Sequence, residues 1–284
     1  MPVRFKRRKR GDRRRQRRMT GNLRRPTRDE ITIITHGGVS DEEIEYSRDR
    51  LQSVLAKIRE PVLLARVKLT IASDPARTRP VIAQALLDVN GDLVRAQVAA
   101  ETPHVAADLL TRRLRDKLEH RSQRRRALRK RQGVPETGEW RHGDLPTGRP
   151  EYYDRPLAER QLVRRKTYAI DELTPDEAVL EMEQLDYDFH LFRDLTSGQD
   201  ALIERDGEAR YRLTRLLASD AELGPTRARI VLSSHAVPAL SGEEVISRLE
   251  ATGQRYLFYA NTNDHRGNVV YHRYDGHYGL IAPV

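Results

Sequence analysis

Two helix-start signatures stand 67 residues apart in the second half of this chain: Thr174-Pro175-Asp176-Glu177 and Ser241-Gly242-Glu243-Glu244. In each, a hydroxyl precedes a glutamate by three residues, so the two groups can satisfy each other's backbone N–H at a helix start. The residues after each signature also match. Ala178, Met182 and Leu185 supply the buried face of the first helix, and Val245, Ile246 and Leu249 that of the second. Phe189 and Leu191 then open a strand, Thr196-Ser197-Gly198 turns it, Ala201–Glu204 returns, and Asp206-Gly207 turns again before Tyr211. In the second copy Tyr256–Tyr259 is the strand, Arg266-Gly267-Asn268 the turn, Val269–His272 the return, and Asp275-Gly276 the turn before Tyr278. The expectation is two tandem β-α-β-β-β modules, at 161–217 and 223–284. A unit of about 55–60 residues buries too little surface to stand alone, so each copy needs a partner. Phe189, Phe192, Tyr256, Phe258, Tyr271 and Tyr278 are candidates for an interface between copies; packing inside one copy would occupy them equally well.

The first half reads differently. Ile31, Ile33 and Thr35 begin a strand that ends at Gly37-Gly38, and Ser40 with Glu43 caps a helix whose apolar face is Ile44, Leu51, Leu55 and Ile58. Ala65, Val67, Leu69 and Ile71 alternate with polar residues, as do Val81, Ala83, Ala85 and Leu87, and then Val94, Ala96 and Val98. Period-two alternation marks half-buried strands. Asn90-Gly91 is a hairpin turn, since both residues tolerate positive φ. From His104 to Gln132 runs one long helix with two characters. Ala106, Leu110, Leu114 and Leu118 form a stripe that can dock on a sheet. Beyond Glu119 there is no acid, only Arg121, Arg124, Arg125, Arg126, Arg129, Lys130 and Arg131 among its charged residues. The order β-α-β-β-β-α over 29–132 places two helices on one face of a small sheet. The whole chain is therefore expected to be α+β.

Charge divides the molecule. Residues 1–132 hold 34 Lys and Arg against 16 Asp and Glu, whereas 133–284 hold 18 against 26. One half suits nucleic acid and the other is a slightly acidic protein module. Residues 1–28 are Arg-rich with Asp12 as their one acid, and are expected to be a disordered basic extension when free. Residues 133–160 contain four Gly and four Pro without periodicity, a flexible linker. The cations expected to face RNA phosphates are Arg112, Arg113, Arg115, Lys117, Arg121, Arg124, Arg125, Arg126, Arg129 and Lys130 on the helix, with Arg66, Lys68 and Arg95 on strands. For each one singly, a solvated surface charge is the alternative.

The chain has no Cys, which excludes disulfides and thiolate metal sites. No apolar run reaches the roughly 18 residues of a membrane span, and the charged N-terminus lacks the apolar core of a secretory signal, so a cytoplasmic protein is expected. His272 and His277 flank Asp275 on a hairpin, but strand alternation explains them better than a metal. Gly37-Gly38 has no following Gly-Lys-Ser/Thr, so no phosphate-cradling loop is read. Asp41, Glu42, Glu43 and Glu45 suit a helix N-terminus better than acid–base work. No nucleophile–base set can be assembled, so no enzymatic activity and no cofactor are expected.

Several motifs resemble the long-form ribosome hibernation-promoting factors, also called ribosome-associated inhibitors. Leu162-Val163-Arg164-Arg165-Lys166 and Thr174-Pro175-Asp176-Glu177-Ala178 are similar to the opening of that family's C-terminal module. Tyr271-His272-Arg273-Tyr274-Asp275-Gly276-His277-Tyr278-Gly279-Leu280-Ile281 is similar to its closing hairpin. The first copy has Arg210-Tyr211-Arg212 where the family pattern has Tyr-Gly-Leu. The N-terminal domain matches in element order and in Asp116-Lys117-Leu118. The resemblance implies a domain like double-stranded-RNA-binding folds that occupies the decoding channel of the small ribosomal subunit, contacts its rRNA, and blocks mRNA and tRNA under stress. The family usually has one C-terminal module, which dimerises; two in tandem would pack within one chain as a covalent pseudo-dimer, giving a monomer. Pairing between chains, a homodimer, is the competing arrangement. The rival class is a basic DNA-binding, nucleoid-associated protein, to which an acidic duplicated half would add nothing.

Overall fold

The computed structural model describes residues 27, 30–72, 78–130, 155–168, 170–207, 210–217 and 222–283. The Arg-rich 1–26 and most of the expected linker, 131–154, lie outside the described residues.

The N-terminal domain consists of β1 (Thr32–His36), α1 (Asp41–Leu55), β2 (Val62–Ile71), β3 (Val81–Val89), β4 (Asp92–Ala100) and α2 (Pro103–Lys130). The sheet order is β1-β2-β3-β4, with β1 parallel to β2 and the others antiparallel. The capping box forms: Ser40 N–H donates to Glu43 Oε2 at 2.8 Å and Glu43 N–H to Ser40 Oγ at 3.3 Å. Asn90 and Gly91 take φ of 55° and 90°, which fits a tight hairpin between right-twisted strands. Leu51, Leu55, Ala106, Leu110 and Leu114 pack on Ala65, Val67, Leu69, Ala83, Ala85, Leu87, Val94 and Ala96 in one core. Both helices therefore lie on one face. The opposite face carries Arg66, Leu86 and Arg95 in one cross-strand row and Lys68, Gln84 and Gln97 in the next.

The C-terminal half contains β5 (Leu162–Tyr168), β6 (Glu172–Leu173), α3 (Pro175–Gln184), β7 (Phe189–Asp194), β8 (Gln199–Arg205) and β9 (Arg210–Arg215), followed by β10 (Arg229–Leu232), β11 (Ala239–Leu240), α4 (Gly242–Thr252), β12 (Tyr256–Asn261), β13 (Gly267–His272) and β14 (Tyr278–Pro283). Both helices start with the capping box read from the sequence, at Thr174/Glu177 and Ser241/Glu244. Each copy shows the expected β-α-β-β-β order with one further two-residue strand, β6 or β11, just before its helix, and its opening strand pairs with the other copy. The sheets run β10-β9-β8-β7-β6 and β11-β12-β13-β14-β5. The opening strand of the first copy thus lies parallel on the last strand of the second, and the reverse exchange puts β10 on β9.

Each sheet has its own helix-side core. Ala178, Val179, Met182, Phe192, Ile203, Tyr211 and Leu213 form the first; Val245, Leu249, Tyr259, Val270 and Tyr278 form the second. A third cluster draws on both copies: Leu191, Leu202 and Leu216 with Phe258 and Val269, flanked by Phe189, Tyr256 and Ile281. The other faces of the two sheets meet there. Residues 155–160, counted with the linker in the sequence, include a 3-10 turn at Leu157–Glu159, and Arg160 Nη1 sits 2.8 Å from both oxygens of Glu250 on α4.

Candidate nucleic-acid interface

The stripe on α2 fixes which of its cations can face outward. With Ala106, Leu110 and Leu114 turned into the core, Arg112 is exposed, and Arg113 and Arg115 flank the buried line. Arg66 is exposed on the open sheet face and Lys68 beside it is half-buried. Arg124, Arg125, Arg126, Arg129 and Lys130 occupy the last turns of the helix, where only the backbone is among the described residues.

Other expected RNA contacts hold the protein to itself. Arg121 is only 5 % exposed: it reaches Glu60 at 2.5 Å, Asp92 at 2.8 Å and the Val89 carbonyl at 3.0 Å. Lys117, 4 % exposed, donates to the Glu183 carbonyl at 2.6 Å and lies 3.3 Å from Asp186. Arg113 meets the same Asp186 carboxylate at 2.8 Å, and the Gln97 N–H donates to it at 2.9 Å. Arg95 donates to the Leu185 carbonyl at 3.4 Å and stacks over Tyr187, 5.6 Å from the ring centre. Arg115 donates to Ser53 Oγ at 3.0 Å.

Five cations assigned to RNA from sequence, Arg95, Arg113, Arg115, Lys117 and Arg121, are thus partnered by intramolecular groups in this structure. Three of them dock the first module on the N-terminal domain. The reason is one residue: Asp186, just after α3, has φ 53° and is fully buried. A buried carboxylate needs charge partners and hydrogen-bond donors, and Arg113, Lys117 and Gln97 supply them. The sequence carries a weak sign of this, an Asp in a position that tolerates left-handed backbone. The junction is strongly basic: burial first, then the neighbouring Arg164 and Arg95, pull the Lys166 ammonium below its usual range.

The six interface aromatics separate by strand alternation. The Phe189 and Tyr256 rings meet across the copies in a tilted contact at 4.4 Å, Phe258 lies in the shared cluster, and Tyr271 stands 6.3 Å from Phe189. Phe192 and Tyr278 point the other way, into the helix-side cores of their own copies. Polar groups that carry no local signal in the sequence also join the copies. Tyr256 Oη donates to Glu204 at 2.5 Å, and Asp200, 2 % exposed, receives Arg266 Nε at 2.7 Å and the Gly267 N–H at 3.0 Å. Burial alone would raise the Asp200 carboxyl, but the Arg266 and Gly267 donors, with Arg193 nearby, hold it below the ordinary carboxylate range.

Among the described residues no three His, Cys, Asp or Glu gather as a metal site, and no helix is long and apolar enough to cross a membrane. Fold and sequence together define a cationic α+β domain carrying a duplicated β-rich module. Both copies, at residues 158–213 and 228–280, match the family described as Sigma 54 modulation/S30EA ribosomal protein C terminus. The dormancy associated translation inhibitor of Mycobacterium tuberculosis (strain CDC 1551 / Oshkosh) is 30% identical over 228 residues, covering 78% of this chain and 76% of that protein. The ribosome hibernation promotion factor of Deinococcus radiodurans is 27% identical over 173 residues, covering 60% of this chain and 88% of that protein. Among solved structures, the Thermus thermophilus Protein Y N-terminal domain aligns with a TM-score of 0.28 at 19% identity, over 32% of this chain and 97% of that one. The chain belongs to the family of ribosome hibernation factors and ribosome-associated translation inhibitors, which are not enzymes.

Proposed function

We propose that this protein is a ribosome hibernation factor whose N-terminal domain enters the decoding channel of the small subunit, excludes mRNA and tRNA, and keeps the ribosome inactive and intact in the cytoplasm under stress. The observation that carries the reading is a helix docked by its first half and cationic in its last turns, in a chain related to translation inhibitors. The domain would meet rRNA as double-stranded-RNA-binding folds do, by shape and phosphate rather than base sequence. Arg66, Lys68, Arg112 and the terminal turns Arg124–Lys130 are the RNA-facing set; Arg95, Arg113 and Lys117 serve to hold the first module.

The two copies act as a pseudo-dimer within one chain. Covalent linkage makes each copy's partner permanently local, so the protein works as a monomer and silences single ribosomes rather than joining two. The shared cluster of Leu191, Leu202, Phe258 and Val269 supports this.

The test is co-sedimentation with small subunits at low ionic strength, together with a translating extract. Binding and inhibition are expected. If about eight phosphates are neutralised, log K against log salt should fall with a slope on the order of −6. A near-zero slope, or an unimpaired extract, would defeat the proposal. In sucrose gradients the protein should travel with single ribosomes; ribosome pairs together with a stable homodimer would defeat the pseudo-dimer. Recovery with nucleoid rather than ribosomal fractions would favour the DNA-binding alternative.

A further inference from the structure

We propose that the two copies have diverged into complementary faces, so that each accepts the other and neither accepts a like copy from a second chain. The proposal rests on the paired-copy reading above and says what enforces it.

Strand register identifies equivalent positions. In copy 1 Arg193 is opposite Asp200; in copy 2 Ala260, 67 residues on from Arg193, is opposite Gly267. Asp200 and Gly267 are therefore the same position in the two copies, and they face each other. The Gly267 N–H donates to Asp200 Oδ2 at 3.0 Å, and a Cβ on Gly267 would stand 3.0 Å from Asp200 Cβ and 2.8 Å from the Phe258 ring. Copy 1 offers a carboxylate. Copy 2 offers a backbone donor, the space for that carboxylate, and Arg266 with Nε at 2.7 Å and Nη2 at 3.2 Å. In copy 1 the position of Arg266 is taken by Gln199, which instead accepts the Leu217 N–H at 2.8 Å.

A second asymmetric contact lies beside the first. Phe189 and Tyr256 are equivalent and meet in a tilted ring contact, and the Tyr256 hydroxyl donates to Glu204 of copy 1. The residue equivalent to Glu204 is Tyr271, which stands near Phe189. Two copy-1 faces would set Asp200 against Asp200 and Glu204 against a phenyl without a hydroxyl. Two copy-2 faces would leave a gap at Gly267 and bring Arg266 in twice with no carboxylate. Two copy-1 faces would bring two buried carboxylates together with only Arg193 of each copy beside them, and two copy-2 faces would set Arg266 against Arg266; the unlike pairing instead gives Asp200 the Arg266 guanidinium and the Gly267 N–H.

The experiment uses full-length chains. Gly267→Asp with Phe258→Leu writes the Leu191 and Asp200 of copy 1 into copy 2, so a like pair faces across the interface. The melting temperature is expected to fall by about 5 °C or more. In a chain already carrying Asp200→Gly, the same two substitutions restore an Asp opposite a Gly and should cost less than half as much. The second background separates a broken contact from a local folding defect. A like-faced chain as stable as the wild type, or an equal loss in both backgrounds, overturns the complementary faces. A wild-type mass of two chains by light scattering would instead overturn the paired-copy reading on which they rest.

Discussion

At the scale of single residues, two buried carboxylates settle more than any of the cations. Asp186 ties α2 of the N-terminal domain to the first module through Arg113 and Lys117. Asp186→Asn keeps the shape and removes the charge, so docking should loosen and those cations become available. Tighter binding to a model rRNA helix at low salt, with faster proteolysis between the domains, is the expected outcome in a titration paired with limited digestion. Asp200 predicts a pH effect. Its carboxyl is held below the usual range in the fold, so it stabilises above its ordinary value near 3.9 and this contribution is lost as pH falls through the lower folded value. His272 acts at milder acidity. Burial lowers its pKa, against the pull of Glu250 and with the push of Arg160, so the unfolded chain binds its proton more readily. Stability should fall as pH drops below about 6.5, and thermal melts of His272→Gln should show less of that dependence. Apart from the weak sign at Asp186, these partnerships were not legible in the sequence. Arg121 looked like one more cation on a rod because Glu60 and Asp92, which neutralise it, come from other elements.

At the scale of elements, the sequence was a good guide wherever the signal is local. The capping boxes at Ser40, Thr174 and Ser241 form, because both partners sit within one turn. The Leu110–Leu114 stripe and the alternation through Ala65, Val67 and Leu69 bury as their periods require. Which sheet a strand joins is not a local property. β5 was legible through its resemblance to the family's opening segment and β10 only through the element order of the module, and neither stretch says which neighbour it takes. The interface aromatics divided for a related reason: adjacent Leu191 and Phe192 face opposite sides of β7, and composition alone does not say which side meets the other copy. Strand exchange makes a prediction. Leu162 on β5 packs against the helix-side core of the second copy, beside Leu257 and Leu280. Leu162→Asp should therefore destabilise the second copy, by about 2 kcal/mol from reduced apolar burial, and leave the first copy intact. Hydrogen exchange resolved by peptide should show protection falling in β13 and β14 and unchanged in β8 and β9.

At the scale of the whole molecule, charge segregates with task. Under the proposed function the cationic α+β domain would supply the RNA-facing surface, while the acidic duplicated half contributes Asp186 and the Glu183 carbonyl, which hold Arg113 and Lys117 of that domain. Charge reversal at Arg66 and Arg112 should weaken binding to small subunits and flatten the salt dependence by about one unit of slope for each phosphate no longer neutralised, leaving mass and melting temperature as in the wild type. The pairing of β5 with β14 also sets an order of events during synthesis. Leu162 is opposite Tyr278, far downstream in the chain. A nascent chain that has made its first module cannot close either C-terminal sheet, since one waits for Arg229–Leu232 and the other for the last strand. Contacts this distant in the chain form slowly, so this half should mature only after its own translation has ended.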